Sequence, residues 1–165
     1  MCMAFPWNTR VQLRFDDVNA AGHVGNVAIT RIVDEARTAF LGHSLHDGSG
    51  YQEGILEGLG GVGRLVAQQT VEFQRELWYS PAPVTASVWV SHIGRTSFSL
   101  ACTISAPSEE APAVLAESTI VLVDRATERS WRISEDLREV LRSHQGAPLP
   151  LRPRAAASAP VPQSR

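Results

Sequence analysis

Val11, Leu13 and Phe15 alternate with Gln12 and Arg14, the period-two spacing of a strand that buries one face. Between Asp16 and Asn26 the alternation stops and Asp, Asn and Gly accumulate, which marks a loop. From Val27 to about Leu41 the period changes. Ile29, Val33, Ala36 and Phe40 stand on one helical face, and Gly42 supplies a stop. The glycine-rich stretch from His43 to Gly61 carries little pattern and reads as loop or short helix. Alternation then returns four times. Leu65, Ala67, Val71 and Phe73 share one face, interrupted by Gln69. Val84, Ala86, Val88 and Val90 form the next set; Phe98, Leu100, Cys102 and Ile104 follow, then Val114, Ala116, Ile120 and Leu122. Short connections between these runs favour antiparallel pairing. Ser134 caps a last amphipathic helix with Glu135 and Asp136 in its first turn.

Strand, helix, about four strands and a helix make an α+β domain. The strands, at roughly 33 Å, outrun a first helix of roughly 22–25 Å, so a curved antiparallel sheet of about five strands can wrap one long helix. Such a sheet keeps an edge, and an edge invites a second copy. The 165 residues suffice for one domain. Residues 146–165, rich in Pro, Ala and Ser, read as a disordered tail, leaving 8–145 as the folded unit.

At 44% hydrophobic and 19% charged, the chain has the composition of a soluble globular protein. A net charge of −2 argues against nucleic acid or anionic membrane as a partner. No apolar run is long enough to span a bilayer and the start lacks a secretory pattern, so a cytoplasmic protein is expected. All 15 positive charges are arginine, which excludes lysine-based chemistry. Cys2 and Cys102 are too few for a zinc finger and read as reduced thiols. His43 and His46 have suggestive spacing but no third ligand motif, so no metal is expected.

Reactive residue types concentrate in the loop before the helix: Asp16, Asp17, Asn19, His23 and Asn26. Gly22 and Gly25 allow a ligand to approach the backbone closely. Behind them the helix start presents unpaired N–H groups at Gly25, Asn26 and Val27 together with a positive dipole end. That arrangement suits an oxyanion developing on a carbonyl or thioester. The plain alternative is a solvated turn whose Asn and Asp cap the helix.

The run Arg14-Phe-Asp-Asp-Val-Asn-Ala-Ala-Gly-His-Val-Gly-Asn26, with Asp34-Glu-Ala-Arg37 after it, resembles the opening of hotdog-fold acyl-CoA thioesterases of the 4-hydroxybenzoyl-CoA thioesterase-like branch. Ile93-Gly-Arg-Thr-Ser-Phe98 is similar to that family's Gly-Arg-Ser-Ser-Phe strand start, and Val121-Leu-Val-Asp-Arg125 to its closing strand. The resemblance spans about residues 10–142. It implies a hotdog fold, paired subunits with sites at their interface, and coenzyme A as part of the substrate with no further cofactor. A homodimer or tetramer is expected.

Two departures matter. The second acid of the family's Asp-x-Asp falls on Asn19; a carboxamide cannot act as base, but it can position the water or the thioester carbonyl, which is the role expected of Asn19. The family's Asn-Asn becomes Gly25-Asn26, which leaves the helix-start donors intact. Three acids compete for the role of base. Glu35, flanked by Ala28, Ile32 and Ala39, ranks first because a half-buried carboxylate suits a general base. Asp17 ranks second and Asp34 third; for Glu35 the plain alternative is an ion pair with Arg31 or Arg37. His23 orients a water or ties the loop. One of Gln68 and Gln69 must face inward or toward the subunit interface. Arg95 and Ser97, with Arg129 and Arg132 around Trp131, are the candidates for the coenzyme A phosphates; surface charge is the alternative for each. The expected activity is hydrolysis of an acyl thioester, an acyl-CoA above others. The rivals are a non-catalytic acyl-CoA-binding protein and, ranked lower, a hotdog hydratase or dehydratase.

Overall fold

In the computed structural model, which describes residues 6–42, 54–56 and 59–153, the alternating runs fold into five antiparallel strands. These are β1 (Trp7–Val11), β2 (Val62–Phe73), β3 (Val84–Ile93), β4 (Ser97–Ser105) and β5 (Val114–Asp124), in sheet order β1-β3-β4-β5-β2. Two helices accompany them, α1 (Asn26–Leu41) and α2 (Glu135–Ser143). The apolar sets of β3, β4 and β5 all point to one side, where Val84, Ala86, Val90, Ile104 and Leu122 are fully buried. Ile29, Ile32, Val33, Ala36 and Phe40 meet them from α1. The curved sheet wraps this helix as expected. At sixteen residues α1 is about 24 Å long, an ordinary length, and it is one of two helices.

Three local readings of the sequence are corrected. β1 begins at Trp7 and ends at Val11; Leu13 is still buried, but Phe15 turns out into a short 3-10 turn (Phe15–Asp17) and is 82% exposed. In β2 a bulge between Val66 and Gln68 resets the register against β5. Arg64, Val66, Gln69, Val71 and Phe73 therefore face the helix side, while Leu65 faces away. Gln69 is the inward glutamine, and its Oε1 accepts from the Arg37 guanidinium at 3.2 Å. Finally, of the tail expected over 146–165, residues 154–165 lie outside the described residues, whereas the described part, 146–153, is hydrogen-bonded to the sheet at Gly146, Ala147 and Arg152. Val90 exchanges backbone hydrogen bonds with His144 and Gly146 at 2.9 Å each, and the Trp89 indole donates to Ala147 O. The Arg152 amide reaches the Glu72 carboxylate at 2.5 Å.

α2 starts as the sequence implied: the Ser134 hydroxyl accepts the Leu137 N–H at 3.3 Å. Its buried Leu137 and Leu141 plug the sheet near Phe40, whose ring the His144 imidazole meets edge-on at 5.4 Å. α1 lies against β1, β3 and β4, which leaves the helix-facing side of β2 partly open. Val66 and Phe73 are 45% and 50% exposed on this edge strand. Among the described residues no helix is long and apolar enough to cross a membrane.

Candidate active site

The loop between β1 and α1 is held by its own side chains. Asn19 Oδ1 accepts the Ala21 and His23 amides at 2.9 and 3.2 Å, and the Asn19 amide donates to His23 O at 2.8 Å. Gly22 turns the loop at φ +87°, a conformation disfavoured for side-chain-bearing residues, with the Trp78 ring packed beside it. Val24 N–H donates to Leu77 O, stitching the loop to the segment after β2. Gly25 N–H donates to Asp17 O at 2.7 Å.

The first bond within α1 runs from Ile29 N–H to Gly25 O at 3.0 Å. The amides of Asn26, Val27 and Ala28 precede it, and Gly25 at the cap position has no side chain to satisfy them. Two cavities meet at this helix tip. One, about 340 Å³, lies between His23, Asn26, Ile29, Phe73, Glu76 and Leu77. The other, about 400 Å³, has Asp17, Asn19, Gly25, Asn26 and Arg31 among its walls. A larger groove of about 830 Å³ runs between α1 and β1 past Thr30, Arg31, Asp34 and Glu35.

Arg31 organises the charges. One of its terminal nitrogens lies 2.5 Å from Glu35 Oε1 and the other 2.6 Å from Asp17 Oδ2. Burial alone pulls the guanidinium pKa down, but the hydrogen bonds and charges of Glu35 and Asp17 outweigh it and raise the pKa above its ordinary value. Asp17 is buried and also accepts the Arg14 amide at 2.7 Å. Glu35 is half-buried and lies 3.6 Å from Arg14 as well. Asp34 pairs outward with Arg37. On the other side of the tip, His23 Nδ1 lies 3.5 Å from Glu76 Oε1, and its ring stands edge-on to Trp78 at 4.2 Å.

The sequence profile of the thioesterase-like superfamily matches residues 13–141, which include the loop, the helix and all the long strands. The chain belongs to the thioesterase-like superfamily. Solved thioesterases have its fold. A coenzyme A- and Zn-bound thioesterase from Thermus thermophilus is similar at 26% identity, with 89% of this chain and 99% of that one covered and a TM-score of 0.66. A thioesterase-superfamily protein from Jannaschia sp. CCS1 aligns at TM-score 0.72 and 17% identity, over 89% and 98% of the two chains. A predicted thioesterase from Bacillus stearothermophilus aligns at 0.67 and 20%, over 86% and 98%. No curated protein matches.

Within this thioesterase-like chain the residues singled out from sequence fall into three places. Asn19, His23 and Asn26 gather at the helix tip, with Asp17 behind the loop. Glu35 looks onto the β1 groove and is among the walls of neither tip cavity. Arg95, Ser97, Arg129 and Arg132 lie at the opposite end of the sheet: Arg95 O accepts the Ile133 amide and Arg129 O the Asp124 amide, whereas the tip faces Phe73 and Val114. The twelve residues of β2 separate the two ends by about 40 Å. The ion pair weighed from sequence for Glu35 forms with Arg31. What sequence reasoning missed is the further link from Arg31 to Asp17 and the approach of Glu76 to His23, for which nothing local gave a signal. His43 and His46 lie outside the described residues, among which no group of three potential metal ligands occurs.

Proposed function

We propose that the chain hydrolyses acyl thioesters of coenzyme A, with the carbonyl oxygen received at the start of α1. The observation that carries this reading is the row of amides at Asn26, Val27 and Ala28, uncapped by Gly25 and bordered by two cavities. Negative charge that develops on the carbonyl as water attacks is drawn to these donors and to the helix dipole. His23, backed by Glu76, takes the proton from the attacking water. The tetrahedral intermediate then expels the thiolate, which recovers a proton from the imidazolium, giving free acid and thiol. Asn19 shapes the loop in this scheme, because its carboxamide oxygen is committed to two amides. Coenzyme A in the Thermus thermophilus structure supports the choice of carrier.

A second reading makes Asp17 the base, favoured by its place in the wall of the tip cavity that also holds Asn26. In both readings Arg31 fixes the acids: it engages Asp17 and Glu35 together, and Glu35, the leading candidate from sequence, then stabilises the helix flank.

The active form is a homodimer. The exposed Leu65, Val66 and Phe73, and the edge of β2 that no described strand pairs, favour pairing with a second copy. Antiparallel pairing of β2 with its own copy brings the arginine-bearing end of one subunit to the helix tip of the other. Arg95, Ser97, Arg129 and Arg132 then reach the nucleotide phosphates across the interface.

A thiol-release assay over short, long and aromatic acyl-CoAs tests the reading. Turnover of at least one class supports it. Tight binding of acyl-CoA with no free thiol would establish the non-catalytic rival instead.

A further inference from the structure

A third feature, separate from the helix tip, lies at the other end of α1. There a cavity of about 230 Å³ is lined by Arg37, Arg64 and Arg125, with Thr38, Gly42 and Ile120 between them. Arg37 is satisfied by Asp34 and Gln69. Arg64 donates one terminal N–H to Gly42 O at 2.5 Å. Among the described residues, neither Arg64 nor Arg125 has a carboxylate within salt-bridge distance.

The backbone makes room for this pairing of like charges. The Arg125 stem lies against Gly63, where an added Cβ would come within 2.8 Å of Val123 Cγ2 and 3.5 Å of Arg125 Cγ. The Arg125 amide is anchored on Gly61 O at 2.9 Å. Burial, and then the charge of Arg125, push the Arg64 guanidinium pKa below its usual value. Two guanidinium groups facing one polar cavity repel, and burial of Arg64 worsens the repulsion. A bound anion reverses the sign of this interaction, and the planar donor forks suit a carboxylate or phosphate.

We propose that this pocket binds one oxyanion group, a carboxylate or a phosphate on a small ligand, between Arg64 and Arg125, with Arg37 behind them. The site is distinct from the four candidate phosphate contacts at Arg95, Ser97, Arg129 and Arg132, and it stands whether or not the chain is a hydrolase.

Calorimetric titration at low ionic strength, without chloride, tests the pocket with inorganic phosphate and with glutarate as probes. Wild type is expected to bind at least one probe. Arg125→Gln, at an exposed side chain, is expected to weaken that binding tenfold or more, and Arg64→Gln likewise if it folds. Arg142→Gln, at an exposed arginine outside the pocket and outside the proposed phosphate contacts, is expected to leave it within twofold. Binding of phosphate alone assigns a phosphate-bearing ligand; binding of glutarate alone assigns a carboxylate. Absence of binding by both probes overturns the proposal. So does unchanged affinity in Arg125→Gln, or a loss in Arg142→Gln that matches it.

Discussion

His23 Nδ1 and Glu76 Oε1 lie 3.5 Å apart although one residue belongs to the loop before α1 and the other to the segment after β2. Backbone bonding of Val24 to Leu77 brings those segments together, so the imidazole at the helix tip has an acidic neighbour that its own loop does not supply. A carboxylate beside one ring nitrogen orients the ring and stabilises the imidazolium formed when the other nitrogen accepts a proton.

Glu76→Gln is therefore expected to lower kcat about tenfold to hundredfold, within the span of general-base effects, with little change in KM. The side chain is 60% exposed, so Tm should barely move. Steady-state kinetics of Glu76→Gln, Asp17→Asn and Glu35→Gln, each paired with a melting curve, separate the candidates. A larger kinetic loss in Asp17→Asn with an intact fold would transfer the role of base to Asp17.

The helix face was plain in the sequence because four apolar residues at helical spacing leave no other way to bury them: Ile29, Val33, Ala36 and Phe40 are all buried, and Ile32, read as flanking Glu35, is buried with them. The same holds for the alternating sets of β3, β4 and β5. β2 was legible only in part: the bulge at Ala67 inserts one residue, and no side-chain pattern announces it. The alternation through Phe15 misled for a related reason. Period two continues past the end of β1 into a segment where the backbone has already left the sheet. At the site, Asp17, Asn19, His23 and Asn26 were readable as one cluster because they share one loop. Glu76 was not, since its approach to His23 depends on how the segment after β2 docks. The pairing of Asp17 with Glu35 through Arg31 was equally out of reach, because loop and helix meet only in the folded chain.

Arg31→Met tests that clamp. The substitution removes the partner of the buried Asp17, whose carboxylate then keeps only the Arg14 amide. Leaving a largely buried charge unpaired costs about 3 kcal/mol. Arg31 Nε is itself buried without a partner, so its loss gives back part of this. A net loss of about 2 kcal/mol in urea denaturation is expected, and no loss would show that Arg31 does not bind loop to helix.

Gly25→Asp addresses the helix tip. Gly25 has φ −73°, accessible to any residue, and an added Cβ meets nothing closer than 3.6 Å. An aspartate there can accept the Val27 or Ala28 amide and adds negative charge at the dipole's positive end. A few tenths of a kcal/mol of stabilisation is expected. The same carboxylate occupies the donors assigned to the oxyanion, so thioester hydrolysis should fall about a hundredfold. A higher Tm together with unchanged turnover would remove the helix tip from the mechanism.

Cys102 is expected to be inert. Burial pushes its thiol pKa up to about 12, against a smaller opposing pull from the Arg37 charge. In a Cys2→Ser background, a disulfide reagent at pH 8 should label no thiol in the folded protein and one after denaturation. Rapid labelling of the native protein would mean that the β4 face opens readily.

The His144 imidazole provides a stability test against pH. Burial near Phe40 lowers its pKa from 6.5, because the charged form loses hydration. Between the folded and unfolded values the unfolded chain binds a proton that the folded chain does not, so stability rises with pH there. The contribution is intact above pH 6.5 and is lost as pH falls through the folded value. Carboxylates titrate over part of the same range, so the informative quantity is a difference. The unfolding free energy of wild type minus that of His144→Gln should be larger at pH 8 than at pH 5, as read by urea denaturation. A difference that grows toward pH 5 would mean that the imidazolium is stabilised in the fold and that α2 docks through a charge.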